Sequence, residues 1–297
     1  MHANAEHTRL LRLATRASLT VAIVLIVTKG VAWWMSGSLS LLAGLTDSLL
    51  DGAASLLNLL AVHYALRPAD DDHRYGHGKA EALSGMAQAL FITVSGVLIG
   101  IQAIERIQNP EPLSTALPGI VVTLLALGLT VALLGFQRKV IRITGSSAIK
   151  ADALHYRSDL LLNVSILLAL SLTWLGWQQA DAWFGLAIAG YIVWSAVQIA
   201  RETFSVLMDQ ELPPQVSARM LELARGVPGV LGAHDLRTRI SGQIWFVQVH
   251  LELPGSLTLS VAHALCDRAA AAIHAQYPQA EVLVHADPQE VVGQKPT

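Results

Sequence analysis

The sequence predicts an α-helical membrane protein with six transmembrane helices, followed by a cytoplasmic α+β domain in the order αββαβ. Composition is the first reason. Of 297 residues, 53% are hydrophobic and only 14% charged, a balance outside the usual range for a soluble chain of this size. Mean hydropathy is +0.48. The second reason is a series of six apolar runs, each long enough to cross a hydrocarbon core of about 30 Å. The third is a change of character after Met208, where polar and apolar residues mix. Residues 1–208 therefore read as the membrane domain and 209–297 as a separate soluble one.

The apolar runs lie at 12–34, 39–66, 80–107, 116–141, 148–174 and 181–207. The first follows a polar, basic N-terminus, but it is too long for a signal-peptide core and lacks a cleavage pattern, so it reads as a retained span. Breaks at "MSGSLS", "RPADDDHRYGHGK", "QNPEPLSTALPG", "RITGSS" and "GWQQAD" carry the Gly, Pro, Ser and charge of turns. Basic residues alternate between the two sides. Arg9, Arg12 and Arg16 precede the first span, Arg67, Arg74 and Lys79 fill the second connection, and Arg138, Lys139, Arg142 and Lys150 surround the fourth. The first, third and fifth connections hold no Lys or Arg, although Arg106 lies just inside the third, so both termini are expected in the cytoplasm. Lys29 is an exception near the outer end of the first span, where Trp33 and Trp34 suggest an interfacial belt to which it snorkels.

In the tail, "PPQVSARMLELARGV" reads as a helix with Pro in its first turn. "AHDLRTRISGQIWFVQVHLEL" reads as two strands joined at Ser241-Gly242, "SLTLSVAHALCDRAAAAIHAQYP" as a second helix and "AEVLVHADP" as a third strand. A net charge of -2 argues against a nucleic-acid partner. Cys266 is the single cysteine, which excludes an intrachain disulfide and a Cys-based zinc motif. A small buried thiol is its simpler reading, although at i+3 from His263 it could reach the same site.

The chemistry is concentrated in the second and fifth spans. Asp152, His155, Asp159 and Asn163 follow one another at helical offsets on the fifth, as Asp47, Asp51 and Asn58 do on the second. At about 1.5 Å rise per residue, Asp47 falls level with Asp159 and Asp51 with His155 near the midplane. One His or Asn there reads as a helix-to-helix hydrogen bond. Clustered carboxylates do not, because each Asp costs around 3 kcal/mol at a helix centre even on a lenient scale. An Asp3His cage offers donors suited to Zn²⁺ that also accept Fe²⁺, Mn²⁺ or Cd²⁺. In the loop after the second span, Asp70, His73 and His77 have metal-ligand spacing only if the segment is helical, which Gly76 and Gly78 oppose; a solvated acidic turn fits equally. In the tail, His285 and Asp287 share one face of the last strand, with His250 on the second strand, His234 near the start of the first and His263 on the second helix. Each alone reads as a surface or core residue. Together, in so small a domain, they suggest metal binding.

The pairing of "LTDSLLDGAASLLNLLAVHYALRPADDDHRYGHGKAE" with "ADALHYRSDLLLN", six spans and an αββαβ tail resembles the cation diffusion facilitator family over nearly the whole chain. The resemblance implies a homodimeric metal/proton antiporter of the bacterial inner membrane that exports Zn²⁺, Fe²⁺ or Cd²⁺ by alternating access, with Asp47, Asp51, His155 and Asp159 as transport site. It implies a second metal site at Asp70, His73 and His77. It also implies a ferredoxin- or metallochaperone-like tail that pairs across the dimer and holds two structural or regulatory ions, Asp287 bridging one on His234 and His250 to another on His263 and His285. Lys79 and Asp209 match an intersubunit or hinge ion pair. Ala286 departs from a position that can be polar in the family, and His274 matches no role. Family members with His at the first ligand look restricted to zinc, so Asp47 implies broader metal choice.

Alternatives are a membrane-embedded metal-dependent enzyme or a metal sensor. An enzyme would need an open coordination position and a general base, and no His-Glu-x-x-His motif occurs. A channel is disfavoured because four strong ligands hold an ion too long for fast conduction. With no Walker-type phosphate loop, an ion gradient is the expected energy source.

Overall fold

The computed structural model describes residues 2–36, 39–108, 117–174 and 180–289. The chain divides into two compact units, residues 1–204 and 205–297. Six long helices come first: α1 His2–Ser36, α2 Leu39–Ala65, α3 Lys79–Gln108, α4 Leu117–Thr144, α5 Ser147–Trp174 and α6 Ala180–Leu207. The breaks expected at "MSGSLS", "QNPEPLSTALPG" and "GWQQAD" lie wholly or partly outside the described residues. α1 starts ten residues before the expected span at 12. No Gly or Pro interrupts this stretch, and Leu11 and Ala14 are buried beside Val62 of α2 and Val140 of α4.

Five of these helices are long and apolar enough to cross a membrane: α1, α2, α3, α4 and α6. α5 has the length of a sixth crossing, 28 residues, but Lys150, Asp152, Arg157 and Asp159 interrupt its apolar run. It packs on α3 and α4 and buries Ile149, Ala151, Leu154 and Tyr156. Val31, Leu57, Leu98, Leu124 and Trp194 point outward, while Ser18, Ser55, Gln137 and Asp152 are buried. Apolar outside and polar inside is the arrangement hydrocarbon demands.

The buried polar groups are connected. Ser18 Oγ and Gln137 Nε2 both donate to Asp152 Oδ2, the latter at 2.7 Å. Tyr156 Oη donates to the Ser18 carbonyl at 2.9 Å and lies 3.0 Å from Ser55 Oγ. This network joins α1, α2, α4 and α5, so Asp152 serves helix packing one turn from His155. Close approach elsewhere depends on small residues: a Cβ on Gly96 of α3 would come within 2.9 Å of Val193 on α6.

The tail consists of α7 Pro214–Arg225, β1 Gly232–Ser241, β2 Ile244–Leu253, α8 Leu259–Gln276 and β3 Ala280–Pro288, the expected αββαβ order. β1 pairs antiparallel with β2, and β2 parallel with β3. Gly242 has φ 60 in the two-residue turn between β1 and β2, the backbone a type II′ hairpin needs at its first central position. Val247, Val249, Leu251 and Leu253 alternate along β2 and are buried with Met220 and Ala224 of α7 and Leu265, Ala269 and Ile273 of α8. A period of two sends Gln248, His250 and Glu252 to the opposite, open face. That face carries the histidines of the three strands, His234, His250 and His285.

Candidate metal centres

Among the described residues, three groups of side chains bring ligand atoms within 4.8 Å of one another: Asp51, His155 and Asp159; Asp70, His73 and His77; and His234, His250 and Asp287. In the first, α2 supplies Asp51 and α5 supplies His155 and Asp159, one turn apart. His155 Nε2 lies 2.9 Å from Asp51 Oδ1 and 3.7 Å from Asp159 Oδ2. Ligands at about 2.1 Å from a tetrahedral ion stand about 3.4 Å apart, so this spacing suits a metal. Nε2 is buried between carboxylate oxygens of both helices, so an ion at that point would meet nitrogen and oxygen donors together. Asp47, one turn before Asp51, is exposed and is not among the ligand atoms of this cluster. The two asparagines of the sequence stripes are engaged elsewhere: Ser84 Oγ donates to Asn58 Oδ1, and Asn163 Nδ2 donates to the Asp159 carbonyl. Beside His155, a cavity of about 10 Å³ is lined by Ala54, Gln88, Phe91, Ile92, Asp152 and His155. Neither amide atom of Gln88 has a hydrogen-bond partner, and the space admits one water.

The loop cluster forms without a helix. The His73 backbone N–H donates to Asp70 Oδ1 at 2.7 Å, closing a turn that Gly76 leaves at φ 75. Asp70 Oδ1 then lies 3.2 Å from His73 Nδ1 and Oδ2 lies 3.2 Å from His77 Nε2. His77 is buried against the edge of Tyr64, with ring centroids 4.6 Å apart. The His73 amide holds the exposed Asp70 carboxyl below the usual carboxylate range.

In the tail, strand register aligns the histidines. His234 pairs with His250 across β1 and β2, and His250 with His285 across β2 and β3. Asp287 is 4% exposed on the same face. Its Oδ2 accepts from His250 Nδ1 at 2.7 Å and lies 3.5 Å from His234 Nε2, while Oδ1 lies 3.3 Å from His285 Nε2. The two oxygens thus face different histidines. His263 is set apart on α8, exposed and 3.5 Å from Asp267. Two acids join the cluster that the sequence reading missed. Glu252 Oε1 is 3.0 Å from His234 Nδ1, and Asp235 Oδ2 is 3.7 Å from His250 Nε2. Glu252 shares the face of His250 by alternation and could have been found. Asp235 sits in a bulge between His234 and Arg237 with φ 43, which no sequence period announces. Cys266 packs on the apolar core, and burial raises its thiol pKa. His274 Nδ1 reaches the Ala280 carbonyl at 3.1 Å, and Asp209 lies 3.5 Å from Arg239.

Residues 15–208 match the family described as "Cation efflux transmembrane domain". The chain belongs to the cation efflux family. Residues 212–289 match "Cation efflux protein, cytoplasmic domain". Among relatives of this cation efflux protein, "Cation-efflux pump FieF" of Klebsiella pneumoniae is 46% identical over 289 residues, covering 97% of this chain and 96% of the relative. The pump of the same name from Escherichia coli is 45% identical with the same coverage. Among solved structures, a MamM CTD in its nickel form is 30% identical over 26% of this chain and 98% of its own, with a TM-score of 0.25. This member of the family is a divalent metal cation efflux transporter of a membrane, and its family is one of transporters rather than enzymes.

Proposed function

We propose that the protein is a homodimer in the bacterial inner membrane, with both termini cytoplasmic, which exchanges cytoplasmic Zn²⁺, Fe²⁺ or Cd²⁺ for external protons by alternating access. Asp47, Asp51, His155 and Asp159 are the transport ligands in this reading. The observation that carries it is the approach of Asp51 on α2 to His155 and Asp159 on α5, within a helical domain whose outer surface is apolar. Ligands shared between two helices make the site sensitive to any shift of one helix against the other. Bound metal requires deprotonated ligands, so loading expels protons and outside protons expel metal. Residues 1–208 carry transport and 209–297 dimerise. Asp70, His73 and His77 hold one further ion; His234, His250, His263, His285 and Asp287 hold two, with Asp287 between them.

The test is flux into inside-out vesicles or liposomes with and without an imposed pH gradient. Metal uptake should follow the gradient. Asp51→Ala or Asp159→Ala should abolish uptake while leaving dimer assembly intact. Uptake that is indifferent to the gradient would overturn the exchange, and uptake that survives both substitutions would overturn the site.

A further inference from the structure

Lys29 does not snorkel toward the belt of Trp33 and Trp34. Its ammonium turns inward onto α2, donating to the Gly44 carbonyl at 3.0 Å and to Ser48 Oγ at 2.7 Å. Ser48 is buried, at 1% exposure. Neither acceptor is charged, so these bonds fix the position of the ammonium without neutralising it. A lysine inside an apolar span costs about 3 kcal/mol, and such residues typically serve a partner.

The placement identifies that partner. Gly44 and Ser48 are one turn apart on α2, with Asp47 between them and Asp51 one turn further along the same stripe. The ammonium is therefore anchored on the turn of α2 that carries Asp47, one turn from Asp51, toward the C-terminal end of α1. That is the outward, discharge side in the proposed orientation. Charge balance assigns it a task. Asp47, Asp51 and Asp159 with a divalent cation and a neutral His155 leave one negative charge, which a single ammonium cancels. The same positive charge repels the ion it flanks.

We propose that Lys29 is the charge-balancing residue of the transport site, held by Gly44 and Ser48 so that its ammonium neutralises the loaded cluster and loosens the cation for discharge. This rests on the transport-site reading above. Removing the charge leaves a more negative site that binds the divalent ion more tightly and lets it go more slowly. A bulky disruption of α1 against α2 would instead weaken binding. Apparent KM therefore separates the two.

The experiment measures zinc transport in liposomes by the full-length protein and its Lys29→Met, Lys29→Gln and Lys29→Arg variants. Met and Gln should lower KM and kcat together, each on the order of tenfold for loss of one nearby charge facing a divalent ion. Arg should restore both to within about twofold of the parent, since it keeps the charge. Unchanged kinetics in Met and Gln, a raised KM in both, or an Arg variant as impaired as Met would overturn the proposal. An Asp51→Ala control keeps the two readings apart: if it abolishes transport while the Lys29 variants are unaffected, only the role of Lys29 fails. If Asp51→Ala still transports, the site itself is misplaced.

Discussion

Asp47 is the residue on which metal choice should turn. It is one turn from Asp51, exposed, and outside the cluster in this conformation, so its ligation requires a movement of its side chain or of α2. Replacing it by His would give a site of two imidazoles and two carboxylates, softer and more favourable to zinc. The Cd²⁺ to Zn²⁺ transport ratio of Asp47→His should fall severalfold; an unchanged or higher ratio would remove Asp47 from the ligand set. Asp70 gives a second residue-level expectation. Its carboxyl is held below the usual range chiefly by the His73 N–H. A depressed carboxylate contributes stability above its unfolded pKa of about 3.9 and loses it as pH falls through the lower folded value. In a pH titration by NMR, the His73 amide should therefore keep its bonded shift through neutral pH and move only below about pH 4. A shift that moved near pH 6 would mean that the imidazole, not the carboxyl, closes the turn.

At the scale of elements, the sequence was most informative where periodicity is long. The apolar runs located all six helices, and alternation located three strands. The approach of Asp51 to His155 and Asp159 was legible in part, because helical offsets place Asp47 with Asp51 and His155 with Asp159 whatever the packing, although Asp47 stays outside the cluster. Relations between elements were not. Register decides that His234, His250 and His285 lie in one row, and the bulge that swings Asp235 toward His250 depends on a single residue with positive φ. The inward turn of Lys29 was misread because tryptophans two turns or less from a lysine resemble an interfacial anchor, whereas Gly44 and Ser48 become neighbours only once α1 packs on α2. His263 shows the same dependence on assembly. It stands apart from the row on the sheet, so a site that includes it needs movement or a second copy of the tail. Metal that binds only the assembled form stabilises it by mass action. Chelation should thus lower the melting temperature of the isolated 209–297 fragment and weaken its self-association, with zinc restoring both. Melting and sedimentation that ignore EDTA and zinc alike would exclude this.

For the whole molecule, the decisive feature is the inversion of polarity in its helical unit: lipid-compatible side chains outside, and carboxylates, amides and hydroxyls among the buried ones. Such an interior is costly unless its polar groups serve one another or a passing ion. Ser18, Gln137, Asp152 and Tyr156 serve one another through hydrogen bonds, with Gln137 Oε1 left without a partner. The Asp51, His155 and Asp159 cluster instead gathers two carboxylates around one imidazole nitrogen, donors that a cation would meet together. The proposed antiport requires that this cluster exchange metal for protons rather than merely hold metal. Calorimetry of zinc binding to the full-length protein tests this directly, with the loop and tail ligands substituted and buffers chosen for different ionisation enthalpies. One or more protons should be released per zinc bound at the remaining site, with affinity weakening as pH falls from about 7.5 to about 6, across the range where a histidine ligand takes up a proton. Binding that releases no proton and keeps the same affinity across that range would contradict proton-coupled exchange, even with every ligand correctly named.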